Sequence, residues 1–306
     1  MKFPPDWLYC SMDWMSVPVT DLGVMKCVYQ SDRRTYRDPT IIWGTTFDVQ
    51  PLTKFVAAES RRANLFLSPA HALLMAVARS LREHPEFNRR MVGRSVHQFR
   101  EVNLIMPMLL AQTDDVELVF LRGADQLSLR DLSRTLWTEA HKRKSRIKQE
   151  QQREAERSAF SRFCANAALR LKLHWIRRMS WVAFFCHNHF PLMSMPWSQE
   201  FNAASAIVNV VNYPGAPSMQ MFKPSALPIN ATALSVTMGP PEDRPAVVNG
   251  QIVIQRAAPL FLRMDHRFVH SHQIAKFLNT LCGYLTEPSR LVEADSPNTE
   301  VHSAAA

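Results

Sequence analysis

The sequence predicts an α/β domain. Short runs of β-branched and aromatic residues recur along the chain, and helices with recognisable caps and apolar stripes stand between them. The length of 306 residues, 46% of them hydrophobic, provides for a sizeable core. Only 8 glycines stand against 20 prolines, and no Gly-x-Gly-x-x-Gly or Walker-type loop occurs, which argues against a Gly-rich nucleotide-binding fold.

Residues 1–40 read as an irregular arm with short strands, rich in Trp, Tyr and Pro. Trp7, Trp14 and Trp43 are expected to pack that arm against a neighbour rather than to bind a cofactor. Thr40–Val49 (TIIWGTTFDV) reads as a strand. Ser68-Pro69 then opens a helix, with Ser68 suited to the N-cap and Pro69 to the first helical position. Leu73, Leu74, Val77 and Leu81 form its apolar stripe, and His84-Pro85 ends it. His71 and His84 bracket this helix and are expected to be exposed or capping. Val102–Gln112 and Val116–Leu121, separated by Thr113-Asp114-Asp115, predict a hairpin. Ser128 caps the next helix, which carries Leu129, Leu132, Leu136 and Trp137 and runs into a charged stretch.

That stretch holds the charge of the molecule. Between His141 and Arg178 stand twelve Lys or Arg against three Glu, an excess of nine that equals the formal net charge of +9. The remainder is neutral overall, so the basic pI does not by itself indicate a nucleic-acid partner. Residues 141–200 are expected to form a basic amphipathic helical insert, aromatic toward its end at Trp175, Trp181, Phe184 and Phe185. It either packs on the domain as extra helices or lies on an anionic membrane surface.

No run of ~18 apolar residues predicts a membrane span; Trp181–Phe190 is too short and contains His187, Asn188 and His189. The N-terminus MKFPPDWLYCSMDWM lacks the charged leader and apolar core of a signal peptide. Cys10, Cys27, Cys164, Cys186 and Cys282 are scattered and odd in number, which fits reduced thiols and a cytoplasmic protein. No metal is expected, because His187 and His189 alone supply too few ligands.

The final third returns to strands at Ala206–Asn212, Ala231–Thr237, Gln251–Gln255 and Pro259–Met264. Asn249-Gly250 is a hairpin-turn signal. Ser271–Leu285 reads as a helix with Ile274, Phe277, Leu278, Leu281 and Leu285 on one face, with Ser271 as its N-cap and Glu287-Pro288 as its stop. A single domain over 1–288, followed by a polar disordered tail at 289–306, is the expected organisation.

The segment PLFLRMDHRFVHSHQIAKFLNTLCGYLTEP resembles the closing strand, catalytic loop and last helix of the dihydrolipoyl acyltransferases of 2-oxoacid dehydrogenase complexes. Asp265, His266, Arg267, Phe268 and Val269 keep the register of that family's Asp-His-Arg loop. Pro245–Ile254, Lys223-Pro224, Leu234–Val236, Thr45–Leu52, Leu67–Asn88 and Ala124–Leu136 agree with other family stretches in order and spacing. The resemblance implies a chloramphenicol acetyltransferase-like fold: a mixed sheet with helices on one side, assembled as a homotrimer with sites between subunits. It also implies transfer of an acyl group from a coenzyme A thioester to a thiol or hydroxyl acceptor. No lipoyl domain is recognised ahead of the core, so the chain is similar to the free-standing members of the family.

In that family a histidine is the general base, a role for which its unperturbed pKa of ~6.5 suits it; the resemblance carries this role onto His266. Two companions differ. The family's Asp-Gly four residues after the base is His270-Ser271 here, so an imidazole stands where a carboxylate orients the site. The family's hydroxyl on the strand Thr-φ-Ser/Thr-Asn, which stabilises the oxyanion, falls on Val211 of Asn209-Val210-Val211-Asn212, or on Asn212 if the register shifts by one. The candidate catalytic residues are therefore His266, Asn212 and His270. Met106, Met108, Met219 and Met221 either line an acyl channel or fill the core. A catalytically degenerate trimeric scaffold, or a membrane-peripheral partner-binding protein, is the alternative to an enzyme.

Overall fold

The computed structural model describes residues 16–18, 40–92, 95–109, 116–156, 171, 174–175, 204–211, 234–267 and 269–293. In chain order they form β1 (Ser16–Pro18), β2 (Thr40–Asp48), α1 (Gln50–Ala63), α2 (Pro69–Glu83), β3 (Arg89–Val92), β4 (Ser95–Phe99), β5 (Leu104–Leu109) and β6 (Val116–Leu121). Then come α3 (Leu129–Glu156), β7 (Ala206–Val210), β8 (Leu234–Met238), β9 (Glu242–Val248), β10 (Gln251–Asp265), α4 (Ser271–Thr286) and α5 (Arg290–Glu293).

A seven-stranded sheet runs in the order β2-β10-β8-β7-β5-β6, with β9 paired to β10 off that path. β7 pairs in parallel with β5 and β8, while the other pairs are antiparallel. β1, β4 and β3 form a separate small sheet. The mixed-sheet α/β expectation is thus met. Alternation sends one set of side chains from each strand into the core. Leu260, Leu262 and Met264 of β10, Leu234 and Val236 of β8, and Ala206 and Val208 of β7 join there with α2 and α4.

α2 is buried all round, from Ala70 through Leu81, as a central helix must be. Ser68 caps it as expected. The Ser68 Oγ and backbone N–H both meet His71 Nδ1, at 2.8 and 3.1 Å. His71 is 8% exposed, so of the two expectations for it capping holds and exposure does not. At the other end His84 Nε2 meets Thr280 Oγ1 of α4 at 2.8 Å. α4 packs there through Phe277, whose ring lies 4.5 Å from that of Phe87. Fully burying side chains such as Phe277, Leu73 and Leu281 contributes roughly 1.5–3 kcal/mol each.

Several expectations are corrected. Gln251–Gln255 and Pro259–Met264 are one 15-residue strand, because Arg256, Ala257 and Ala258 continue the pairing from β9 onto β2. The N-cap of α4 is His270, in extended conformation, and Ser271 is the first helical residue. Chain continuing past Ser289 is not all tail: Arg290–Glu293 forms a helical turn that buries Leu291 completely. α1, β3 and β4 were not foreseen. α1 buries only Leu52 and Val56 and has no side-chain cap at Val49, so its apolar stripe is thin. The charged stretch opens as a single 28-residue helix, α3; His187, His189 and most of 157–200 lie outside the described residues, as do Trp7, Trp14, Met219 and Met221.

Candidate active site

β10 carries the candidate base. Its last residue, Asp265, is still paired with Thr40 of β2, and the chain then turns at His266 and Arg267. The turn brings Arg267 back onto Asp265, and the two side chains close on each other. Arg267 Nε donates to Asp265 Oδ1 at 2.9 Å and Nη2 to Oδ2 at 2.5 Å, while the Arg267 backbone N–H donates to Oδ1 at 3.0 Å. Both side chains are nearly excluded from water, at 8% and 9% exposure. The pair therefore forms a buried bidentate clasp on either side of His266. Such pairs are geometrically specific, and breaking one partner leaves a buried charge.

His266 itself is half-buried. Its Nδ1 lies 2.9 Å from the Val269 carbonyl oxygen. A carbonyl only accepts, so Nδ1 carries the proton and Nε2 is left with the lone pair. That is the tautomer a general base needs. The His270 ring stands edge-on to it, with centroids 6.3 Å apart, and His272 stacks on His270 at 6.0 Å. The His270 backbone is fixed as the helix start: its N–H donates to Gln273 Oε1 at 2.9 Å, and its carbonyl accepts from the Gln273 and Ile274 N–H groups. His266 and His270 are thus brought together.

Val211 is not brought to them. In register, Met264 of β10 stands opposite Leu234 of β8, which stands opposite Ala206 of β7. The chain leaves that end of the sheet through His266, whereas Val211 lies beyond the other end of β7 and donates its N–H to Met238 O. At ~3.3 Å per residue and ~4.8 Å between strands, Val211 is roughly 20 Å or more from His266 within one chain. Asn212 lies outside the described residues.

Other singled-out residues are structural. Trp43, Met106 and Met108 pack against the core. Burial raises the pKa of the Cys282 thiol, which keeps it protonated and a poor nucleophile. Among the described residues no group of three His, Cys, Asp or Glu could hold a metal ion. Sequence reasoning missed the Asp265–Arg267 clasp, because it forms across the turn that follows β10 and strand spacing does not signal it.

Residues 210–293 match the family model described as 2-oxoacid dehydrogenases acyltransferase (catalytic domain). No curated protein sequence matches. Among solved structures, a probable dihydrolipoamide acetyltransferase from Listeria monocytogenes 4b F2365 is 16% identical, covering 93% of this chain and 97% of its own, with a TM-score of 0.53. The cubic core of the pyruvate dehydrogenase multienzyme complex is 18% identical, covering 90% and 93%, with a TM-score of 0.54. The dihydrolipoamide acetyltransferase of Azotobacter vinelandii is 17% identical over the same shares, with a TM-score of 0.54. Its structure addresses the roles of a serine, a histidine and an asparagine in catalysis, the last two four positions apart. The resemblance to this acyltransferase domain holds in sequence over residues 210–293 and in fold over most of the chain.

Proposed function

We propose that the chain is an acyltransferase that moves an acyl group from a coenzyme A thioester to a thiol or hydroxyl acceptor, with His266 as general base. The observation that carries this reading is the 2.9 Å contact of His266 Nδ1 with the Val269 carbonyl oxygen, which favours the proton on Nδ1 in the neutral imidazole and suits Nε2 to the role of base. In the reaction Nε2 takes the acceptor's S–H or O–H proton as the acceptor attacks the thioester carbonyl. A tetrahedral oxyanion forms, the C–S bond to coenzyme A breaks, and the proton passes from Nε2 to the leaving thiolate. His270, four residues after His266, has the same spacing from it as the asparagine has from the histidine in the Azotobacter enzyme. It acts through an imidazole edge rather than a charge. Asn212 is the proposed oxyanion donor.

The working unit of this proposal is a homotrimer with sites between subunits. Two observations support it. Val211, just past the end of β7, lies far from His266 in one chain, so a donor at that end of β7 would meet His266 only from a different copy. The β9–β10 hairpin also presents Pro245, Val247, Ile252 and Ile254 on one face, with Ile252 and Ile254 each 81% exposed. That apolar face lies about 40 Å along β10 from its own His266 and needs a partner. The protein is proposed to be cytoplasmic.

A catalytically degenerate trimeric scaffold is the second reading, favoured by Val211 in place of a hydroxyl. The experiment that separates them is release of free coenzyme A from a panel of acyl-CoAs with a dithiol acceptor and with alcohols. Turnover of any member supports the enzyme; none across the panel supports the scaffold.

A further inference from the structure

Among the described residues α3 is anchored at its N-terminal end. Leu129, Leu132, Ser133 and Leu136 are buried, whereas from His141 onward every described side chain of the helix is exposed. A helix of 28 residues is about 42 Å long, and its described residues from His141 to Gln152 are exposed. This part of the helix holds the run Lys142-Arg143-Lys144-Ser145-Arg146-Ile147-Lys148, and no acidic residue occurs between Glu139 and Glu150. Lys142 has one carboxylate nearby, Glu139, at 3.8 Å. Helical spacing puts Trp137, His141 and Lys144 on one stripe.

At the root of that stripe Trp137 is 59% exposed, its ring stacked on His141 with centroids 3.7 Å apart. Leu171 and Trp175, helical residues of the same basic stretch, are 61% and 59% exposed. Large apolar rings beside cations are costly in water. They are favourable at the boundary between lipid headgroups and acyl chains, where Trp inserts and Lys and Arg meet anionic phosphates. A purely ionic partner, such as a nucleic acid or an acidic protein, would account for the cations and leave these exposed apolar side chains unused.

We propose that the exposed part of α3, led by Trp137, Lys142, Lys144 and Arg146, docks the protein peripherally on an anionic lipid bilayer. This rests on the helix alone and is independent of the acyl-transfer reading. The surface adsorbs the protein without spanning, since no described helix is long and apolar enough to cross a membrane.

The test is flotation of the full chain with phosphatidylcholine vesicles and with vesicles that also carry phosphatidylserine. Binding is expected only to the anionic vesicles and is expected to fall with salt. The triple variant Lys142→Gln/Lys144→Gln/Arg146→Gln should bind them roughly 100-fold more weakly, at about one lost surface cation's contribution per substitution. Trp137→Ala should weaken binding severalfold at unchanged salt dependence. Circular dichroism melts identical to the unmodified protein would show that both variants fold. Equal binding to neutral and anionic vesicles, binding to neither, or binding unaffected by the triple variant overturns the proposal. Retention on heparin or on an acidic protein without vesicle binding also overturns it, in favour of an ionic partner.

Discussion

The imidazole of His266 is held from behind by groups that never reach a substrate. Val269 fixes the proton on Nδ1, and the Asp265–Arg267 clasp fixes the turn that supplies Val269. Because both charges of the clasp are buried, Arg267→Met should destabilise the fold by about 3–5 kcal/mol in denaturant unfolding, while the double variant Asp265→Leu/Arg267→Met should recover much of that loss. A double variant as unstable as the single one would show that the clasp is worth more than its uncompensated charge. Asn212→Ala should lower kcat by about 100-fold with little change in KM, as loss of an oxyanion donor does. An unchanged kcat would remove Asn212 from the site. Asp265, His266 and Arg267 were visible in the sequence as a motif. Their geometric roles were not, because a linear pattern does not say which carbonyl or carboxylate a turn will bring to hand.

At the level of elements, helix caps were the most legible feature. Ser68-Pro69 and Ser128 mark the starts of α2 and α3, and Ser128 Oγ accepts the Asp131 N–H at 3.1 Å. The cap of α4 was misassigned by one residue, since Ser271 has the preferred chemistry while His270 has the extended backbone. α1 escaped notice because most of its surface is wet. The α2 cap also yields a pH prediction. Desolvation lowers the pKa of His71 from 6.5, so the unfolded chain binds this proton more readily than the folded one. The stabilisation is present above 6.5 and is lost as pH falls through the lower folded value. Thermal midpoints measured from neutral to mildly acidic pH should therefore fall more steeply for the native protein than for His71→Gln, whose amide keeps the capping box without titrating. Parallel curves would exclude His71 as the source.

For the whole molecule, the mixed α/β architecture was legible, because the strands are short β-branched and aromatic runs and the helices carry apolar stripes of period 3.6. The separation of His266 from the end of β7 was not, since it depends on register across three strands. That separation, with the exposed apolar face of the β9–β10 hairpin, supports the proposed placement of the working site between copies. Ile252→Lys/Ile254→Lys should convert trimers to monomers in sedimentation analysis, leave circular dichroism unchanged and abolish acyl transfer. A native protein already monomeric at working concentration would contradict this.

The proposed acyl transfer depends on the lone pair at Nε2 of His266. The most direct measurement is steady-state acyl-CoA turnover by the native protein and by His266→Ala, with matched unfolding curves for the two. The account predicts that turnover falls by about 10²–10⁴-fold, the usual contribution of a general base, while stability is retained. Equal turnover by the two proteins would contradict it.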